Sequence, residues 1–122
     1  MPAKVVDASV LAAMAFGEPR ADEAARLLSG ADLFAPDLLP YELASVALKK
    51  TRRYPARARQ IASALEAVLS LDITFVSVVA GDALALALET KLTVYAAAYF
   101  YLARSLKCAL ATFDEALARQ IV

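Results

Sequence analysis

The 122-residue sequence predicts an α/β domain built on a mainly parallel sheet flanked by helices on both faces. Three observations predict it. Short apolar, β-branched runs alternate with helix-length segments from end to end. No repeat, low-complexity stretch or linker interrupts them, so residues 1–122 read as a single domain. The chain is also long enough to bury a core without covalent staples.

The elements follow in order. KVVDASV, residues 4–10, reads as a buried first strand with Asp7 at or near its carboxyl end. PRADEAARLLSG, 19–30, is a helix, with Pro19 and Asp22 near its start and Gly30 as its stop. DLFAP, 32–36, is a second strand. In PDLLPYELASVALKKTRR, 36–53, Asp37 or Leu39 is placed to cap a helix and Pro40 suits its first turn. Leu43, Val46 and Ala47 share one face of it. Pro55 opens PARARQIASALEAVLSL, where Ile61, Leu65, Val68 and Leu69 recur at helical spacing. DITFVSV, 72–78, is a third strand, and Gly81 and Asp82 open a short helix running to Lys91. The helix TVYAAAYFYLARSLK, the strand CALATF and a final helix, DEALARQIV, complete the chain.

Composition narrows the chemistry. Thirteen basic and thirteen acidic residues cancel, which excludes a nucleic-acid binder acting through overall charge. Histidine is absent, which excludes His-based acid–base catalysis, serine or cysteine triads and the usual zinc sites. Carboxylates, hydroxyls, Lys and Arg remain, and an oxygen-ligated divalent cation is the cofactor they suit. The lone Cys108 rules out an internal disulfide and, in an apolar run, reads as a buried inert thiol. The start of the chain lacks the apolar core of a signal peptide, and no uncharged run approaches the roughly 20 residues that span a membrane. A cytoplasmic protein without membrane contact is expected. At 61% hydrophobic residues, the chain carries more apolar surface than so small a domain hides, which points to a second chain covering part of it. Asn is absent and Gln is rare, a composition that suits a thermophilic source.

Two carboxylates fall just past strand ends, where open parallel sheets bind ligands: Asp7 after KVV and Asp114 after ALATF. Asp7 has two readings, a charge in apolar company that needs a cation, or a cap for the next turn. Glu42 taken alone is a dipole partner or reciprocal cap in its helix. Asp114 has the shape of an N-cap, and Thr112 shares that ambiguity. Asp82 and Glu89 read as a cap and a solvated helix residue and stay outside the site. Lys49, Lys50, Arg52, Arg53, Arg57 and Arg59 form a basic stretch with no acid between Glu42 and Glu66. Part of it complements a helix carboxyl end, and the remainder makes a local positive field able to hold phosphates or meet acidic groups of a protein. Tyr95, Tyr99, Phe100 and Tyr101 invite a base-stacking role, but positions 95, 99 and 102 share one helical face, which favours core or dimer packing. The same helix enters with Ala96, Ala97 and Ala98, where an acceptor or acid is usual.

Together, VVDASV, YELASVALKK, TVYAAAYFYLA and ALATFDEAL, in this order and at these separations, resemble the PIN-domain nucleases, specifically the short VapC-type toxins of toxin–antitoxin pairs. The resemblance covers essentially the whole chain. Asp7, Ala8 and Ser9 match the first motif, Glu42 the second, and Thr112 with Asp114 the last. Ser45 stands where the family often has Asn. The third motif departs: Tyr-Asp-Ala-x-Tyr is typical, and here Ala96 occupies the Asp position between Tyr95 and Tyr99.

The resemblance implies a three-layer α/β/α fold and a metal-dependent endoribonuclease using Mg²⁺ or Mn²⁺. It also implies an RNA substrate, a protein antitoxin and a homodimer. Asp7, Glu42 and Asp114 would be direct or water-mediated ligands, with Ser9 and Thr112 orienting them. Lys49, Lys50, Arg52 and Arg53 would meet RNA or the antitoxin. Ala96 removes one carboxylate, so weaker metal binding and little or no cleavage by this chain are expected. The alternative is a non-catalytic PIN-like module that binds RNA or protein. A phosphoryl-transfer domain with an aspartyl nucleophile is disfavoured, because it needs a second Asp where Ser9 stands.

Overall fold

A computed structural model describes residues 1–120. Four strands, β1 (Ala3–Val6), β2 (Asp32–Pro36), β3 (Ile73–Val76) and β4 (Ala109–Ala111), form one sheet in the order β3-β2-β1-β4. Every pairing is parallel, with Val5 opposite Phe34 on one side and Leu110 on the other. The chain steps outward from β1 to β3 and then returns to the far side of β1, so the switch point lies between β1 and β4.

Among the described residues, the helices are α1 (Ala8–Ala15), α2 (Ala21–Leu28), α3 (Leu39–Arg53), α4 (Ala58–Leu69), α5 (Ala80–Thr90), α6 (Val94–Leu106) and α7 (Glu115–Arg119). They complete a three-layer α/β/α arrangement. α1 packs on α2, α3 and α4, while α5 packs on α6, which lies against β1 and β2. Val5, Val6, Val10, Leu11, Leu39, Leu43 and Tyr99 are fully buried at the centre. No single described helix is long and apolar enough to cross a membrane.

The strand expected over 4–10 stops at Val6, and a helix starts at Ala8. ASVLAAMA is apolar around its whole circumference, so burial on several sides erases the polar stripe that would reveal its period. Neither Asp37 nor Leu39 caps α3. Leu38 is the N-cap, and the Asp37 carboxylate accepts from the Ser77 hydroxyl instead. Pro55 opens a short 3-10 turn, Pro55–Arg57, before α4 begins. α5 starts at Ala80 with Val79 as N-cap, and Asp82 accepts from the Tyr101 hydroxyl rather than capping. Thr93 supplies the acceptor that the first turn of α6 itself does not carry, since its Oγ1 takes the Ala96 N–H at 3.1 Å. Tyr95, placed with the core face by spacing, is 65% exposed because it precedes the turn that meets the sheet. Cys108 is half-buried, not buried, at the edge of β4. Of the final helix expected over 114–122, residues 121 and 122 lie outside the described residues.

Candidate active site at the sheet switch point

Asp7 leaves the carboxyl end of β1, and its N–H bonds to Ala111 O on β4 at 3.0 Å. It stands at the N-cap position of α1, yet its side chain caps nothing. The carboxylate is buried and accepts two hydroxyls on Oδ2: Ser9 Oγ at 2.9 Å and Thr112 Oγ1 at 2.6 Å. Charge-assisted bonds of this kind offset part of the desolvation cost of a carboxylate in apolar company.

Both hydroxyls also accept. Ser9 Oγ takes the Phe113 N–H at 2.9 Å, and Thr112 Oγ1 takes the Asp114 N–H at 3.0 Å. Two short side chains therefore tie the start of α1 to the segment after β4. Asp114 caps α7 as its position suggests, with Oδ1 accepting the Leu117 N–H at 2.9 Å.

Glu42 comes from the first turn of α3. Its Oε1 accepts a 2.6 Å bond from the hydroxyl of Tyr99, which is buried in α6. Burial pushes the Glu42 carboxyl above its ordinary value, the Tyr99 bond pulls it back, and the Asp7 charge pushes it up again. Burial and the Glu42 carboxyl push the Tyr99 hydroxyl far up, so it stays protonated and donates to Glu42.

Asp7, Ser9, Glu42, Ser45, Lys49 and Asp114 line one pocket of about 340 Å³. Glu42, Ser45 and Lys49 follow at three- and four-residue spacing along a single face of α3. Each acid uses one oxygen within the protein, leaving Asp7 Oδ1, Glu42 Oε2 and Asp114 Oδ2 outside these side-chain bonds. An oxygen-only donor set facing one pocket fits a hard divalent cation. Among the described residues, no three acidic side chains are drawn close enough to clasp an ion as they stand.

The remaining positions divide. Ala96 is the third residue of α6, half-buried, one turn before Tyr99, and is not part of the pocket lining. Lys49 lines the pocket, and Lys50 lines a groove beside it. Arg52 and Arg53 belong to neither, and Arg53 instead bonds the Tyr54 hydroxyl at 2.9 Å. Sequence reasoning missed the role of Tyr99. A tyrosine on a core face needs an acceptor for its hydroxyl, and that requirement was the available signal.

Comparison with known proteins agrees with the motif order. The PIN domain model matches residues 4–120. Ribonuclease VapC3 of Pyrobaculum aerophilum is 38% identical over 121 residues, covering 95% of this chain and 92% of that protein. The crystal structure of PAE2754 from Pyrobaculum aerophilum superposes with a TM-score of 0.77 at 27% identity, over 97% of this chain and 85% of that one. VapC20 of Mycobacterium tuberculosis, described as a sarcin-ricin loop cleaving toxin, shares the fold with a TM-score of 0.70 at 19% identity, over 97% and 95% of the two chains. The sheet order, the ordered acids and the whole-length match lead to one assignment: this chain belongs to the PIN domain family, in its VapC-type branch.

Proposed function

We propose that this chain is a metal-dependent endoribonuclease toxin of the VapBC type, restrained by a protein antitoxin and impaired at Ala96. The observation that carries the reading is that Asp7, Glu42 and Asp114, from three separate elements, line one pocket at the switch point. The relative named Ribonuclease VapC3 supports RNA as the substrate. Asp7, Glu42 and Asp114 would hold Mg²⁺ or Mn²⁺ through their remaining oxygens. Such an ion supplies Lewis acidity toward a phosphate oxygen and the attacking water. Ser9 and Thr112 fix the Asp7 carboxylate, Tyr99 fixes Glu42, and Lys49 offers a positive charge to an entering phosphate. Ala96 leaves the set one carboxylate short.

A homodimer in the cytoplasm belongs to the same proposal. Leu84 and Leu88 on α5, with Val94 and Tyr95 at the start of α6, are exposed apolar groups that support a covered face. A dimer by native mass spectrometry is the expected result.

Ala96 also favours a second reading, a PIN-like module that binds RNA or protein without cutting it. The deciding experiment is Mn²⁺-dependent cleavage of a mixed single-stranded RNA pool by this chain and by Ala96→Asp, with a chelator control. Cleavage by the variant alone supports the impaired nuclease. Silence from both favours the binding module.

A further inference from the structure

A groove of about 600 Å³ runs beside the acid pocket, lined by Ser9, Pro19, Arg20, Lys49, Lys50 and Phe113 among others. It shares Ser9, Val46 and Lys49 with the pocket, so the two are continuous. We propose that this groove is a nucleotide subsite, in which single-stranded RNA next to the scissile phosphate follows Lys49 and stacks a base on the Arg20–Phe113 pair. The inference rests on the reading of RNA as the substrate and adds how the chain holds it.

The stack is built rather than incidental. Arg20 Cζ lies 3.7 Å from the Phe113 ring centroid, within cation–π range. Glu23 accepts from Arg20 Nε at 2.7 Å and from an Nη at 2.9 Å, a forked contact that orients the exposed guanidinium along the ring. The backbone of Phe113 is anchored in turn by its N–H bond to Ser9 Oγ, the hydroxyl that also holds Asp7. A flat cationic platform is thereby placed beside the first acid, linked to it through Ser9. Arginine planes and aromatic rings are the surfaces on which unpaired RNA bases stack.

Charge favours the same occupant. Lys50 Nζ stands 3.8 Å from Glu18, a loose pair, and among the described residues Lys49 has no acidic partner within 4.0 Å. A phosphate backbone leading to the pocket meets Lys49 at the junction of the two cavities. An acidic peptide would match the lysines but would leave the stack unused.

The test is fluorescence anisotropy in chelator, which separates binding from cleavage. The probes are a short labelled single-stranded RNA of mixed sequence and an abasic oligomer of equal length. Arg20→Ala is expected to weaken the RNA by about fivefold or more while leaving the abasic oligomer nearly unchanged. Phe113→Leu, which keeps apolar volume, should do the same. Lys49→Ala should weaken both probes and reduce the salt dependence by roughly one phosphate contact. Thermal melts establish that each variant is folded. Parent-like RNA affinity in Arg20→Ala and Phe113→Leu overturns the subsite, as does equal weakening of both probes. Preference for polyglutamate over RNA, lost in Lys49→Ala, reassigns the groove to a protein partner and overturns it too. Cleavage by Ala96→Asp that is indifferent to Arg20→Ala sinks the subsite and leaves the nuclease reading standing. Silence from Ala96→Asp with stack-dependent RNA binding does the reverse.

Discussion

The hydroxyl of Tyr99 donates to Glu42 Oε1 across 2.6 Å, joining residues 57 apart in sequence and holding a half-buried acid in place. Tyr99→Phe deletes the donor and leaves the ring. Removing one partner from a buried polar pair costs about 1–3 kcal/mol, and a loss in that range is expected in urea denaturation. An unchanged midpoint would show that Glu42 is satisfied by solvent.

Glu42 also predicts a pH dependence. Burial, reinforced by the Asp7 charge, raises its carboxyl above 4.5, so the folded chain holds more protons than the unfolded chain just above that pH. Stability contributed by the protonated form is present below the unfolded value and is lost as pH rises through the folded one. Glu42→Gln should flatten that decline and raise the melting temperature at neutral pH without metal. A steeper decline in the variant would contradict the assignment.

Ser9 and Thr112 both donate to Asp7 Oδ2. Ser9→Ala and Thr112→Val should each destabilise by about 1–2 kcal/mol. The double variant strips the buried carboxylate of both donors and should cost more than the two losses added. Simple additivity in a double-mutant cycle would show that each hydroxyl acts alone.

Asp114 caps α7 and faces the acid pocket, two roles that separate by substitution. Asparagine caps as well as aspartate, so Asp114→Asn should keep the melting temperature while weakening Mn²⁺ binding by calorimetry. Asp114→Ala should lose both, at about 1 kcal/mol for the cap. Equal Mn²⁺ affinity in parent and Asp114→Asn would remove Asp114 from the ligand set.

Ala96→Asp adds a carboxylate one helical turn from Tyr99. It should bind Mn²⁺ more tightly than the parent and gain more thermal stability at matched metal concentration, as linkage requires. Without metal the added charge should lower stability. A metal-independent rise would place position 96 away from the ion.

The alternation of strands and helices was legible because β2 and β3 are short apolar runs bounded by Pro, Asp and Ser. β2 coincides with DLFAP. α1 was hidden for the opposite reason: a helix buried on several sides has no polar stripe to report its period. The carboxylates themselves were legible as charges after apolar runs, and the motif order gave their grouping. Their partners were not. Nothing local in Thr112 says that its hydroxyl meets a residue 105 positions earlier, and nothing in Tyr99 names Glu42. Such pairings exist only once strand order is set. The split of the basic stretch, Lys49 and Lys50 inward and Arg52 and Arg53 away, depends on where α3 turns its faces.

The position of β4 beside β1 has a consequence for the chain as it is made. Asp7 leaves the ribosome early and Asp114 late, and the pocket needs both strands paired. Pairing across so long a loop is also among the slower steps a small domain takes. A growing polypeptide therefore lacks the acid pocket, which is assembled only after the segment beyond β4 has emerged and closed on the first strand.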